Sequence, residues 1–193
     1  MNEREFTDYF IKALNLSIAP FQIATKKSVL YQMAINDKGH VDMGVDIDSG
    51  EPIRGRGKGF EQDILIYEET EGGHTSFIPR VIAEVKLGKV TTHDSIVYSE
   101  KARRIRRIYP FVRYGLILAD MKNIPGRVLR LGDEFDFIEV VGNPLTPSDL
   151  KQCIELFKSE LETSLGLSKL LFGNKKITSL RKRFVAVEAH QKG

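Results

Sequence analysis

Two acidic residues and a lysine lie on two neighbouring apolar runs, in a pattern that predicts a site for a divalent cation. Asp63 directly precedes the run 64–67, and Glu84 and Lys86 lie within the run 81–87. Both runs are rich in β-branched and apolar residues, which predicts two strands. If the strands are neighbours, two carboxylates lie beside one ammonium. Oxygen ligands of this kind suit a hard cation such as Mg²⁺.

Strand geometry places the charged residues of the second run together. Side chains alternate between the two faces of a strand, so Glu84 and Lys86 share one face while Val85 points to the other. Burying ionisable groups in an apolar strand pair is costly, which favours a functional reason for them. The alternative is a salt bridge between Glu84 and Lys86 on a solvated face, where such pairs contribute little.

Composition predicts a single domain and an intracellular location. The 193 residues, 41% of them hydrophobic, are enough for one sizeable core, so we expect a single domain over 1–193 with a basic tail from about 175 to 193. The single cysteine, Cys153, rules out an intramolecular disulfide and a Cys-rich zinc site, which favours a reducing, cytoplasmic location. No signal pattern or membrane-length apolar run is present, so no membrane association is expected.

Periodicity and turn residues predict alternating helices and strands around the central pair. A loop is expected over 68–79, which contains two glycines, and Thr146 with Pro147 predicts a helix start. Cys153 lies beside the apolar stripe of that helix, which favours packing over nucleophilic chemistry. The other predicted elements are helices at 2–16 and 92–109, one or two strands in 21–35, a half-exposed strand in 39–50, a buried strand at 114–119, a short element at 127–131 and a strand at 135–141.

Basic residues cluster in two segments that flank the central strands. Cations alternate with glycines before the first strand, and five cations occur within seven residues of the helix that follows the second. Both segments could contact a phosphate backbone, although a mobile loop and a solvated helix face are the simpler alternatives. The phosphate contacts predicted here are Arg54, Arg56, Lys58, Lys101, Arg103, Arg104 and Arg107. The net charge of +3 is too small to indicate a nucleic-acid coat protein.

The order Asp63, Glu84-Val85-Lys86, basic helix and buried strand resembles the PD-(D/E)XK nuclease superfamily over about 2–119. Gln62 stands where the family pattern has proline. The resemblance implies an α/β fold, a restriction endonuclease-like core with a central mixed β-sheet flanked by helices. It also implies that Asp63, Glu84 and the backbone carbonyl of Val85 bind Mg²⁺, or Mn²⁺ as a substitute, while Lys86 positions or deprotonates the attacking water.

Some members of that superfamily place a further glutamate from the first helix near the metal. Glu5 and Glu3 are the candidates for this role in the present sequence. The helix dipole also favours acidic residues at these positions, so a purely structural role is the alternative.

The resemblance implies a metal-dependent DNA endonuclease, restriction-like or junction-resolving. A homodimer is a further expectation, since cutting both strands of a duplex usually needs two active sites. The alternative is a nuclease-like module that binds DNA or assembles without catalysis. A small-molecule enzyme has less support, because the sequence has no nucleotide loop and no nucleophile paired with a base.

Overall fold

A five-stranded mixed sheet forms the centre of the protein, in a computed structural model that describes residues 2–15, 17–35, 38–39, 41–42, 59–70, 77–174, 176 and 178. The helices are α1 (Glu3–Asn15), α2 (Thr92–Ile108), α3 (Gly126–Leu131) and α4 (Pro147–Phe172). The strands are β1 (Gln22–Ala24), β2 (Ser28–Leu30), β3 (Ala34–Ile35), β4 (Val41–Asp42), β5 (Gly59–Glu61), β6 (Ile64–Glu69), β7 (Phe77–Leu87), β8 (Arg113–Ala119) and β9 (Phe137–Val141).

The central sheet has the strand order β1-β6-β7-β8-β9. β1, β6 and β7 pair antiparallel, whereas β7, β8 and β9 pair parallel. Parallel neighbours need a crossover connection, which contains α2 between β7 and β8 and α3 between β8 and β9. The predicted α/β class, with a mixed sheet flanked by helices, is confirmed at this level.

One face of the sheet carries α1 and α4. Val81, Ala83 and Val85 of β7 are fully buried in the same core as Phe10 and Phe157, whose ring centroids lie 6.0 Å apart. Burying aromatic rings of this size contributes a large share of the hydrophobic stabilisation. The helices α1 and α4 therefore pack against the face of β7 opposite the one that carries Glu84 and Lys86.

The opposite face of the sheet packs on α2. Ala102 and Ile105 of α2 share a core with Ile82 of β7 and Tyr114 of β8. Because side chains alternate along β7, the face that contains Ile82 is also the face that Glu84 and Lys86 point toward. The basic helix therefore covers the charged face of β7.

Several predicted boundaries differ from the observed ones. The segment 68–79, predicted as a loop, contributes strand residues at both ends, because β6 runs to Glu69 and β7 begins at Phe77. Pro79 lies inside β7 at a register irregularity, which is where a strand tolerates a residue without an N–H. β9 begins at Phe137 rather than at 135, since the Phe135 N–H closes a turn onto Gly132 O.

The helix starts follow the sequence more closely. Thr146 caps α4 with a capping box that includes Asp149, and Pro147 occupies the first turn, as predicted. Cys153 lies within the buried stripe of α4 rather than beside it, at 0% exposure, and its packing role is confirmed.

Two regions that were predicted to contain strands differ from the prediction. The segment 21–35 forms three short strands rather than one or two, and of the strand predicted in 39–50 only β4 lies within the described residues. Among the described helices, none combines the length and the apolar character that crossing a membrane requires.

Candidate functional site

Asp63 and Glu84 lie side by side because β6 and β7 pair antiparallel. Ile64 pairs with Ala83, so the next positions outward are Asp63 and Glu84. The Val85 N–H donates a hydrogen bond of 2.9 Å to Oδ2 of Asp63. This bond fixes the carboxylate of the half-buried Asp63 directly before the start of β6.

The Glu84 carboxyl group is 2% exposed and accepts two hydrogen bonds at the same oxygen. The Tyr114 hydroxyl donates to Oε1 over 2.7 Å, and the Lys101 ammonium lies 3.1 Å from that oxygen. The pKa of Glu84 is raised to about 7: burial is the main cause and the nearby Asp63 carboxylate adds to it, against the opposing effects of Lys101 and Tyr114. Burial therefore penalises the ionised form of Glu84 more than Lys101 and Tyr114 stabilise it.

Lys86 remains a cation in this environment. Its ammonium lies 3.4 Å from Oε1 of Glu3 and 5.4 Å from the ring centroid of Tyr98. Burial lowers the pKa of Lys86, but the Tyr98 hydroxyl and the carboxylates of Glu3 and Asp94 outweigh burial, so that the pKa is raised above its usual range. A permanent positive charge suits electrostatic stabilisation better than removal of a proton.

The first helix brings Glu3, not Glu5, to the site. The Glu5 carboxylate accepts the Asn2 N–H over 2.9 Å while the Asn2 side chain accepts the Glu5 N–H over 2.9 Å. This reciprocal pair caps the helix at the exposed end of α1, so Glu5 has the structural role that was the alternative at the sequence level. Glu3 contacts Lys86 instead, and thus joins the site through the lysine.

The residues present suit a Mg²⁺ ion that is completed by water and substrate. Among the described residues there is no group of three or more His, Cys, Asp or Glu side chains that could enclose a metal. Mg²⁺ commonly binds through only one or two carboxylates together with substrate phosphates, because it retains several waters. Asp63 and Glu84 meet that requirement, and the raised pKa of Glu84 indicates that a cation would be favourable there. Coordination by the Val85 carbonyl stays a prediction.

The four predicted phosphate contacts on α2 fall into three groups. Lys101 lies at the site, with 17% of its side chain exposed, rather than on the outer face of α2. Arg103 and Arg104 are half exposed, and each forms an ion pair with Glu100. Arg107 is exposed and has no ion pair within the described part of the chain.

Other basic residues are committed elsewhere or lie outside the description. Arg106 pairs with Glu134 and Asp136 beyond the end of α2. Three of the predicted phosphate contacts, Arg54, Arg56 and Lys58, lie outside the described residues, as does most of the basic tail 175–193.

Two tyrosines complete the site and were not identified from the sequence. Tyr98 lies three residues before Lys101 on α2, a spacing that places both on one helix face. Tyr114 lies in β8, and in the sequence it is the first residue of the strand that was predicted as buried. A buried tyrosine usually finds a hydrogen-bond partner for its hydroxyl, and that rule could have directed attention to Tyr114.

The chain was compared with models of known protein families, with curated proteins and with solved structures. None of the three comparisons gives a match. What the site does must therefore be inferred from its own residues.

Proposed function

We propose that this protein is a Mg²⁺-dependent DNA nuclease that hydrolyses phosphodiester bonds as an endonuclease, restriction-like or junction-resolving. The observation that carries the proposal is the grouping of Asp63, directly before the start of β6, with Glu84 and the protonated Lys86, which share one face of β7. The Val85 N–H orients the first carboxylate, and the second is buried with a raised pKa. Perturbed ionisable groups that converge in this way are typical of catalytic sites.

Asp63 and Glu84 would hold the metal, and Mn²⁺ would serve in place of Mg²⁺. When bound, such an ion lowers the pKa of a water and offsets charge that develops on the phosphate. Tyr114 keeps the Glu84 carboxyl group in one orientation by donating to Oε1. Lys86, held by Tyr98 and Glu3, would place a positive charge beside the phosphate and the attacking water.

A polyanion can approach two carboxylates only if the surroundings are positive. The proposed contacts to the DNA backbone are Arg107, on the exposed face of α2, and the basic segment that contains Arg54, Arg56 and Lys58. Arg103 and Arg104 are included because their pairs with Glu100 are solvent-exposed, and such pairs exchange partners at little cost.

The proposal includes a restriction endonuclease-like core. Its support is the arrangement of α1, three antiparallel strands that end in β7, the helix α2 and the parallel strand β8. The acidic residues lie on two neighbouring strands at the centre of this arrangement. A fold can carry several functions, so the site, not the fold, supports the catalytic assignment.

Cleavage of supercoiled plasmid tests the proposal directly. We expect nicked and linear products with Mg²⁺ or Mn²⁺ and none with EDTA. Asp63→Asn and Glu84→Gln should each abolish cleavage, since each removes one anionic ligand with little change of shape. Glu155→Gln is the matched control, because it neutralises a glutamate on α4 whose side chain is 68% exposed and which lies outside the site and the proposed DNA contacts. A four-way junction and a flap substrate, run alongside, would distinguish junction-resolving from restriction-like activity.

The assay also separates the catalytic proposal from a module that binds DNA without cutting it. The pairing of Lys101 with Glu84 is the observation that supports such a module, because this carboxylate already has a counter-ion without a metal. Binding without cleavage of every substrate would support the module. Equal cleavage by wild type, Asp63→Asn and Glu84→Gln would refute the assigned site.

A further inference from the structure

Lys101 has a position that the catalytic residues alone do not explain. We infer that Lys101 is a positioning residue that neutralises Glu84 in the metal-free protein and releases it when a divalent cation binds. This inference rests on the proposed function, because it assigns Glu84 to the metal. It gives the α2 lysine a role in metal exchange that precedes any contact with DNA.

The ion pair is enclosed on both sides. The Lys101 ammonium lies 3.1 Å from Oε1 of Glu84, and the two side chains are 17% and 3% exposed. A buried carboxylate without a partner is strongly unfavourable, so a nearby ammonium keeps Glu84 in place until a metal arrives. Exposed pairs such as Lys151 with Glu155 have no comparable constraint.

Two aromatic rings provide a second favourable position for the Lys101 ammonium. The Lys101 Nζ lies 5.0 Å from the ring centroid of Tyr98 and 5.4 Å from that of Phe60. Aromatic faces attract cations within about 6 Å, so Lys101 can leave Glu84 without losing all of its favourable contacts. The ring of Tyr98 also contacts Lys86, and thus both site lysines lie against one side chain.

A divalent cation at Glu84 would repel the ammonium. Two positive charges at contact distance from one carboxylate interact unfavourably, most strongly where water is excluded. When the metal replaces Lys101 at Glu84, this repulsion is removed and the ammonium becomes free to bind another group. The released lysine is then available to a phosphate, which is the role that the sequence predicted for Lys101.

The alternative is a static contact that only holds α2 against β7. In that case the Lys101 to Glu84 pair persists whether or not a metal is bound. The two cases differ in the accessibility of one amine, so they can be distinguished without measuring catalysis.

Amine acetylation, followed residue by residue with mass spectrometry, tests the exchange in the full-length protein. In wild type we expect slow acetylation of Lys101 without metal and a several-fold faster rate with saturating Mg²⁺. Lys151, whose side chain is 80% exposed, serves as the internal control and should react equally in both conditions.

Two variants give the expected fast and slow extremes of the Lys101 acetylation rate. In Glu84→Gln, Lys101 should react quickly with or without Mg²⁺, because its anionic partner is gone. In Asp63→Asn, which keeps the Lys101 to Glu84 pair but loses a metal ligand, the rate should stay slow in both conditions.

Calorimetry with Mn²⁺ on the same samples distinguishes a failure of the Lys101 exchange from a failure of the proposed metal-dependent function. Metal binding to wild type with no change in Lys101 reactivity would overturn the exchange and leave the proposed function intact. No detectable metal binding would overturn both.

Discussion

Replacing Glu84 by glutamine should change how the stability of the metal-free protein depends on pH. The pKa of Glu84 rises from 4.5 to about 7 on folding, chiefly because the carboxyl group is buried. One pKa unit corresponds to about 1.4 kcal/mol, so ionised Glu84 lowers the free energy of unfolding by about 3 kcal/mol relative to the protonated form. The glutamine variant has no proton to lose at this position.

The sign of the effect follows from proton binding. Between pH 4.5 and 7 the folded protein retains a proton on Glu84 that the unfolded chain has lost, so stability falls as the pH rises. Below this window both states are protonated, and above it both are ionised. The wild type should therefore lose about 3 kcal/mol relative to Glu84→Gln between pH 4.5 and pH 8.

Urea unfolding followed by circular dichroism, with EDTA present, measures this difference at each pH. Subtracting the two proteins cancels the other titrating groups, which both share. Glu100→Gln is the control. Hydrogen bonds from Arg104 and Arg103 lower the pKa of Glu100, so its ionised form stabilises the folded protein, and this stabilisation is lost only in more acidic solutions. Parallel stability curves for wild type and Glu84→Gln across the window would refute the burial of an ionisable carboxyl group at this site.

Four further changes test other parts of the structure. Tyr114→Phe removes the hydroxyl that donates to Glu84, and we expect a loss of about 1–3 kcal/mol in urea unfolding because a buried acceptor loses a partner. Thr146→Ala removes the cap of α4 and should cost about 1 kcal/mol in the same assay, whereas Thr146→Ser should restore most of it. Cys153 should resist iodoacetamide in the folded protein and react only after unfolding, since it is fully buried and burial raises its pKa to about 12; rapid modification of folded protein would contradict this packing. Arg107→Ala should weaken DNA binding and reduce the slope of log affinity against log salt by about 1, as expected for one phosphate contact; an unchanged slope in fluorescence anisotropy titrations would exclude that contact.

Local rules were sufficient for much of the architecture. The alternation of side chains predicted that Glu84 and Lys86 share a face of one strand, and the observed packing of Ile82 and Val85 on opposite faces confirms that alternation. The capping box at Thr146 and the buried strand β8 were also predicted, because both depend on residues adjacent in sequence. The extension of β7 through Pro79 to Phe77 was missed, since the bulge that accommodates Pro79 depends on the partner strand.

The sequence by itself determined which residues of the central strands carry charge and which face of β7 presents Glu84 and Lys86. Only the tertiary structure decided what surrounds them. The antiparallel register brings Asp63 to Glu84, and the packing of α2 brings Lys101 within 3.1 Å of the same carboxylate. Glu3 and Tyr114 reach the site from the start of α1 and from β8. These contacts join residues far apart along the chain, so they depend on how whole elements pack, and no local pattern encodes them.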